Sequence, residues 1–196
     1  MSHATASPVL DYSSTGQPSA RVAIWWFIAS EIAIFGGAVA CYLLYRFEHP
    51  EWSEAASHTV QWAGATNTVV LLTSSLLAVL ADKAAGAGDG KGAARYLWLA
   101  VLGGLVFLGI KTFEYSHEIH AGFTPLSEPH GLFWAFYFLM TGLHAAHVVG
   151  GMTAMAIIAR GAAKGKHLGR VEVAAIYWHF VDVIWIFLFP LLYLAS

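Results

Sequence analysis

The sequence contains one cysteine, Cys41, in 196 residues. No disulfide framework, CxxC motif or thiolate metal site can therefore be built within the chain. Cys41 lies inside an apolar run and is expected to behave as a small buried hydrophobe. Charge is also scarce: 11% of residues are charged against 58% hydrophobic, the balance of an integral membrane protein rather than a soluble domain. With a formal charge of -2, the chain lacks the basic excess that marks nucleic-acid binding. Period-two alternation is missing from the apolar runs, and an open sheet edge cannot sit in lipid, so membrane strands are excluded. No internal repeat is visible. The opening MSHATASPVLDYSSTGQPSAR, residues 1–21, has neither the basic start nor the short apolar core of a secretory signal. It is expected to be a mobile polar tail.

Five apolar stretches follow, at about 22–45, 59–81, 96–119, 131–159 and 171–195. Each is long enough for a hydrocarbon core of about 30 Å, which needs roughly 20 helical residues. The expected fold is an all-α integral membrane bundle of five transmembrane helices occupying residues 22–196. Between the spans, RFEHPEWSEAASH, DKAAGAGDGKGAAR, HAGFTPLSEPH and RGAAKGKHLGR collect most of the charge, Pro and loop Gly. In a five-span chain Arg21, Lys83, Lys91, Arg95, Arg160, Lys164, Lys166 and Arg170 fall on one side, and only Arg46 on the other. The positive-inside rule then puts the N-terminus in the cytoplasm and the C-terminus outside. In the fourth span Gly142, Ala146, Gly150 and Ala154 recur every four residues, a pattern that lets a neighbouring backbone come close.

Charged groups at membrane depth cost about 2.5 to 3.5 kcal/mol on insertion scales, so each demands a partner or a function. Glu31, Lys111, Glu114 and Asp182 are such groups, with His144, His147 and His179 beside them. Counting about 1.5 Å of rise per residue from the nearest basic anchor puts Glu31, His144, His147, His179 and Asp182 in one central layer. A pairing of Glu31 with a histidine of another helix is geometrically possible. Lys111 and Glu114 count out nearer the outer interface, and their i,i+3 spacing suits a local, partly wet ion pair. A headgroup or partner-subunit contact is the alternative for that pair.

Several chemistries compete for these residues. Imidazole is the commonest metal ligand, and His144 and His147 resemble half of a bundle metal site, but the carboxylates and second ExxH motif of such a site are missing. A haem sandwiched between two histidines needs ligands from two helices. One histidine of the fourth span with His179 would meet that need, which keeps a haem b membrane cytochrome open. A small ion transporter would require a chain of exchangeable groups. Glu31 and Asp182 are candidates to begin one, but the second span offers only Thr66, Asn67, Thr68, Thr73, Ser74 and Ser75. The bland alternative is packing histidines with satisfied neighbours.

YWHFVDVIWIFLF (177–189), SEIAIFGG (30–37) and GLHAAHVVGG (142–151) together resemble subunit III of the haem-copper terminal oxidases, as does GIKTFEYSHEI in the third span. The similarity covers all five spans. It implies an accessory, cofactor-free subunit beside a catalytic subunit I and a subunit II, in the inner (plasma) membrane of a bacterium. Haems and copper then belong to the partner subunits, and the complex reduces dioxygen while pumping protons. The longer family form has seven helices arranged around a lipid-filled cleft; this chain looks like a five-helix form without the first two.

By the same resemblance, Glu31 matches a buried carboxylate that reacts with carbodiimide, as expected of a shielded, protonated acid. Glu114, His144, His147, Trp178, His179 and Asp182 fall on motif positions expected to face lipid or a helix interface. No catalytic or metal-binding residue is expected in this chain, and bound phospholipid is. Related readings are subunit III of a quinol oxidase and the similar accessory protein of nitric oxide reductase.

Overall fold

The computed structural model describes residues 17–127 and 129–194. Six helices follow one another: α1 (Gln17–Glu48), α2 (Trp52–Ser57), α3 (Gln61–Gly86), α4 (Gly90–His120), α5 (Gly131–Ala162) and α6 (Gly169–Tyr193). Among the described residues there is no strand, and five of the helices are long and apolar enough to cross a membrane. The all-α expectation holds. Most of the expected tail lies outside the described residues, and the chain is already helical at Gln17.

The helix ends differ from expectation where alanine-rich sequence extends a span beyond its apolar part. α3 runs through Asp82 and Lys83 to Gly86, since ADKAAG holds strong helix formers. It stops where Gly88 takes φ +79°, a conformation open mainly to glycine. α4 begins at Gly90 because the Asp89 carboxylate caps it, accepting the Gly92 N–H at 2.8 Å. The helix α2 lies in a segment read from sequence as a loop. Its Trp52 is 2% exposed and packs against Tyr42, His49, Phe133 and Phe136, so burial of one indole fixes the turn from α1 into α3.

Helices α3 to α6 close into a ring in which α3 and α5 each lie against both α4 and α6. Trp178 of α6 ties this ring together. Its Nε1 donates to Ser74 Oγ of α3 at 2.8 Å, and its ring fills space left by Gly104 of α4 and Gly151 of α5. A Cβ at Gly104 would stand 2.5 Å from Met152 Sδ and 3.0 Å from the Trp178 ring; at Gly151 it would stand 2.8 Å from that ring. These two glycines make the tight seam.

The small-residue row expected to do so behaves differently. Gly142 and Gly150 have no atom closer than 3.6 Å to where a Cβ would stand, and Gly150 and Ala154 instead line a groove beside α1. The period of four was read correctly, but it faces a neighbour standing further away.

α1 sits outside the ring, mainly against α6 and more lightly against α5. Only one stripe of it is buried, formed by Ile28, Glu31, Phe35 and Tyr42, whose spacings keep to one helix face. Trp25, Trp26, Ile34, Leu44 and Phe47 remain exposed. Cys41 is on this bare side too, which corrects the expectation that it is buried: α1 has too few neighbours to enclose it.

Candidate functional sites within the helix bundle

The ionisable residues expected within the membrane separate into three places. At the first, α1 meets α5, and Glu31 Oε2 stands 3.0 Å from His147 Nε2. Both side chains are largely buried, at 11% and 14% exposure. The His147 ring also meets Phe35 edge-on, and its Nδ1 lies 2.8 Å from the Leu143 carbonyl oxygen. A proton on Nδ1 makes that a hydrogen bond. Glu31 and a histidine of another helix thus stand at ion-pair distance in the fold, without standard hydrogen-bond geometry. Further along, α1 is pinned to α6 by an Arg21–Glu172 ion pair at one end and by Tyr42 Oη donating to the Leu191 carbonyl at 3.1 Å near the other.

Apolar grooves flank this contact. One, of about 350 Å³, is lined by residues of α1, α5 and α6, among them Phe27, Gly150, Ala154 and Tyr177. The other, of about 370 Å³, lies between α1 and α6 and includes Ile32, Gly36, Phe180 and Phe187. Glu31 falls between them along α1, beside two slots suited to hydrocarbon.

The second place is the interior of the ring, around Lys111. Lys111 and Glu114 are 3% and 0% exposed, which overturns the reading of a partly wet pair. Lys111 Nζ donates to Glu114 Oε2 at 3.0 Å, to Tyr137 Oη at 3.2 Å and to Tyr193 Oη at 2.8 Å. Tyr137 in turn donates to Glu114 Oε1 at 2.7 Å. The ammonium also lies 4.7 Å from the centre of the Tyr115 ring and 5.8 Å from that of Trp185, within the reach of cation–π attraction. α5 and the C-terminal end of α6 close over this face of α4. One helical turn further on, Glu118 is fully buried, and among the described residues neither carboxylate oxygen makes a hydrogen bond within standard geometry.

The third place is the α3–α6 seam, where polar groups recur turn by turn. Trp178 bonds Ser74, and His179 Nδ1 meets Ser75 Oγ at 2.6 Å. Trp185 Nε1 donates to Thr68 Oγ1 at 3.0 Å, and Gln61 donates to the Tyr193 carbonyl at 3.1 Å. Ser74 and Thr68 of α3, which from sequence offered no acid or base, serve as acceptors for the two indoles. Asp182 is 3% exposed, and its carboxylate makes no hydrogen bond of standard geometry among the described residues. His179 and Asp182 share a helix face, but it is Ser75 that engages the imidazole.

His144 is fully buried against Phe107 and Trp185, while His147 turns to α1 and His179 to α3. The three imidazoles therefore engage three different sets of neighbours. Among the described residues no group of three His, Cys, Asp or Glu side chains is placed to hold a metal ion. Tyr137, Tyr193, Ser75 and Thr68 were not singled out from sequence. The signal available for the tyrosines was the presence of Lys111 in an apolar span, since a buried ammonium requires several acceptors.

Comparison with known proteins gives a family match along almost the whole chain: the model described as "Cytochrome c oxidase subunit III" fits residues 13–196. The chain is 36% identical over 180 residues to "Cytochrome c oxidase subunit 3" of Thermostichus vulcanus, covering 87% of this chain and 84% of the relative. It is 36% identical over 183 residues to the protein of that name from Bacillus subtilis (strain 168), covering 88% and 84%. It is also 32% identical over 195 residues to "Heme-copper oxidase subunit I+III" of Aeropyrum pernix, covering 89% of this chain and 22% of that one.

Proposed function

The chain belongs to the cytochrome c oxidase subunit III family, and from that premise we propose that it steadies the catalytic subunit of a haem-copper oxidase and retains phospholipid beside Glu31. It is a subunit III, a multi-pass membrane protein that associates with other oxidase subunits. Subunit I is the proposed direct neighbour, which the fused name of the Aeropyrum relative supports. Subunit II, cytochrome c as electron donor, and a bacterial plasma membrane with the N-terminus inside complete the proposal. Basic residues at one end of the bundle support that orientation.

The carrying observation is the coincidence of the family match with all five long helices. The Lys111 cluster supports an accessory role, since Lys111, Glu114 and the two tyrosines hydrogen-bond one another. Haems and copper would reside in the partner subunits. Mechanistically, the ring of α3 to α6 gives a stiff body, and α1 presents an apolar surface with two grooves for acyl chains. A stiff, lipid-sealed neighbour limits water entry and local opening in the subunit it covers. That supports proton uptake and durability without carrying protons itself.

Affinity purification through this chain should recover a subunit with haem and copper, together with a copper-binding subunit II. Depleting the chain should leave the initial oxygen-reduction rate largely intact and shorten the time over which turnover persists. Purification of the chain with a stoichiometric haem of its own, and no oxidase subunits, would overturn the reading. Recovery of a subunit II without copper would replace cytochrome c by a quinol.

A further inference from the structure

The face of α4 turned away from Glu31 carries a graded row of side chains that the accessory role does not use. Arg95, Trp98, Leu99, Leu102 and Leu105 line a shallow groove of about 500 Å³. Trp98 and these three leucines are all exposed, at 42% to 54%. At its polar end the Arg160 guanidinium of α5 lies over the Trp98 indole, 5.9 Å from the ring centre. Arg95 of α4 lines the same groove, so cations from two helices lie near one aromatic ring. Among the described residues neither Arg95 nor Arg160 makes an ion pair with a carboxylate within 4.0 Å, and no acidic side chain lines the groove.

The dimensions suit one lipid. From Arg95 to Leu105 the helix rises roughly 15 Å, close to half of a hydrocarbon core of about 30 Å and therefore to one leaflet. Charge lies at the end that carries the other basic residues, Lys91, Lys164 and Lys166. Tryptophan at the boundary and leucines beyond it follow the polarity gradient of headgroup, interface and acyl chain.

We propose that Arg95, Trp98 and Arg160 bind the phosphate of an anionic phospholipid whose acyl chain lies along Leu99, Leu102 and Leu105. Arginine favours phosphate because its planar fork donates two parallel hydrogen bonds. This place is separate from the grooves beside Glu31, which are apolar and contain no arginine.

The test is native mass spectrometry of the intact oxidase complex after delipidation and re-addition of phosphatidylglycerol or phosphatidylcholine. The double variant R95Q/R160Q should retain one phosphatidylglycerol fewer than the parent, and its phosphatidylcholine count should not change. Losing two cations near the surface corresponds to roughly thirty-fold weaker occupancy. R95K/R160K should keep most of that occupancy. Leu102→Trp, which fills the groove without touching charge, should displace the same molecule and serves if the glutamine variant does not assemble. Equal phosphatidylglycerol counts in the parent, R95Q/R160Q and Leu102→Trp complexes would overturn the proposal. So would capture of another oxidase subunit, rather than lipid, by a photo-crosslinker placed at Leu102.

Discussion

Replacing Lys111 by Met tests whether the ring interior is held by a mutually saturated charge cluster. Methionine matches the lysine stem in volume, so the packing against Trp185 and Tyr137 is kept and the ammonium alone is lost. The change removes donors to Glu114 at 3.0 Å, Tyr193 at 2.8 Å and Tyr137 at 3.2 Å. It leaves the fully buried Glu114 with only Tyr137 as a donor and leaves the equally buried Glu118 nearby. Removing one partner of a buried ion pair costs about 3–5 kcal/mol, mostly because the other charge stays desolvated. Retention of the Tyr137 bond puts the expectation at the lower end, about 3 kcal/mol. The diagnostic comparison is Lys111→Met/Glu114→Leu. Replacing both members of a buried pair by apolar groups is close to neutral, so the double variant should recover most of the loss. Unfolding followed by tryptophan fluorescence in detergent micelles, with denaturant titration of parent, single and double variants, measures each difference. A Lys111→Met variant within about 1 kcal/mol of the parent, or a double variant no better than the single, would refute a charge cluster of this kind.

Gly151→Ala should destabilise the bundle by about 1–3 kcal/mol in the same assay, since its methyl would press on the enclosed Trp178 ring. Trp178→Phe should cost about 1–3 kcal/mol by leaving the buried Ser74 hydroxyl without its indole donor. A double-mutant cycle of Ser75→Ala with His179→Phe should give a coupling of about 0.5–3 kcal/mol, and additivity within about 0.5 kcal/mol would show that the serine does not hold the imidazole. Glu31→Gln should leave oxygen consumption by the assembled complex largely unchanged, as measured polarographically. Near-complete loss with normal assembly would indicate an obligatory proton path through Glu31.

Fold class and number of spans were legible because they depend on run length and composition, which are local. Pairing of Glu31 with an imidazole was legible as a possibility, because helical rise sets depth whatever the packing. What depth cannot supply is the direction in which a side chain points and what closes over it. Lys111 and Glu114 were therefore read as partly wet, since their enclosure comes from Tyr137 and Tyr193, distant in sequence. The same lack of direction made Gly142, Ala146, Gly150 and Ala154 look like the tight seam. Tight approaches lie instead at Gly104 and Gly151, which share no repeat and both meet the Trp178 side chain. Helix ends moved outward where Asp89 and the alanine-rich run before Gly88 extend helix beyond apolar sequence.

The attachment of α1 by a single stripe bears on how the chain is made. Glu31 is synthesised early in the chain, but its partner His147 emerges more than a hundred residues later, and the anchors Glu172 and Leu191 later still. At ribosomal speeds of about 5–20 residues per second, that interval is on the order of ten seconds. For that time α1 must wait with an unpaired carboxyl among lipid or insertion factors. During biogenesis the first helix is consequently a guest, admitted only after the ring that receives it has been built.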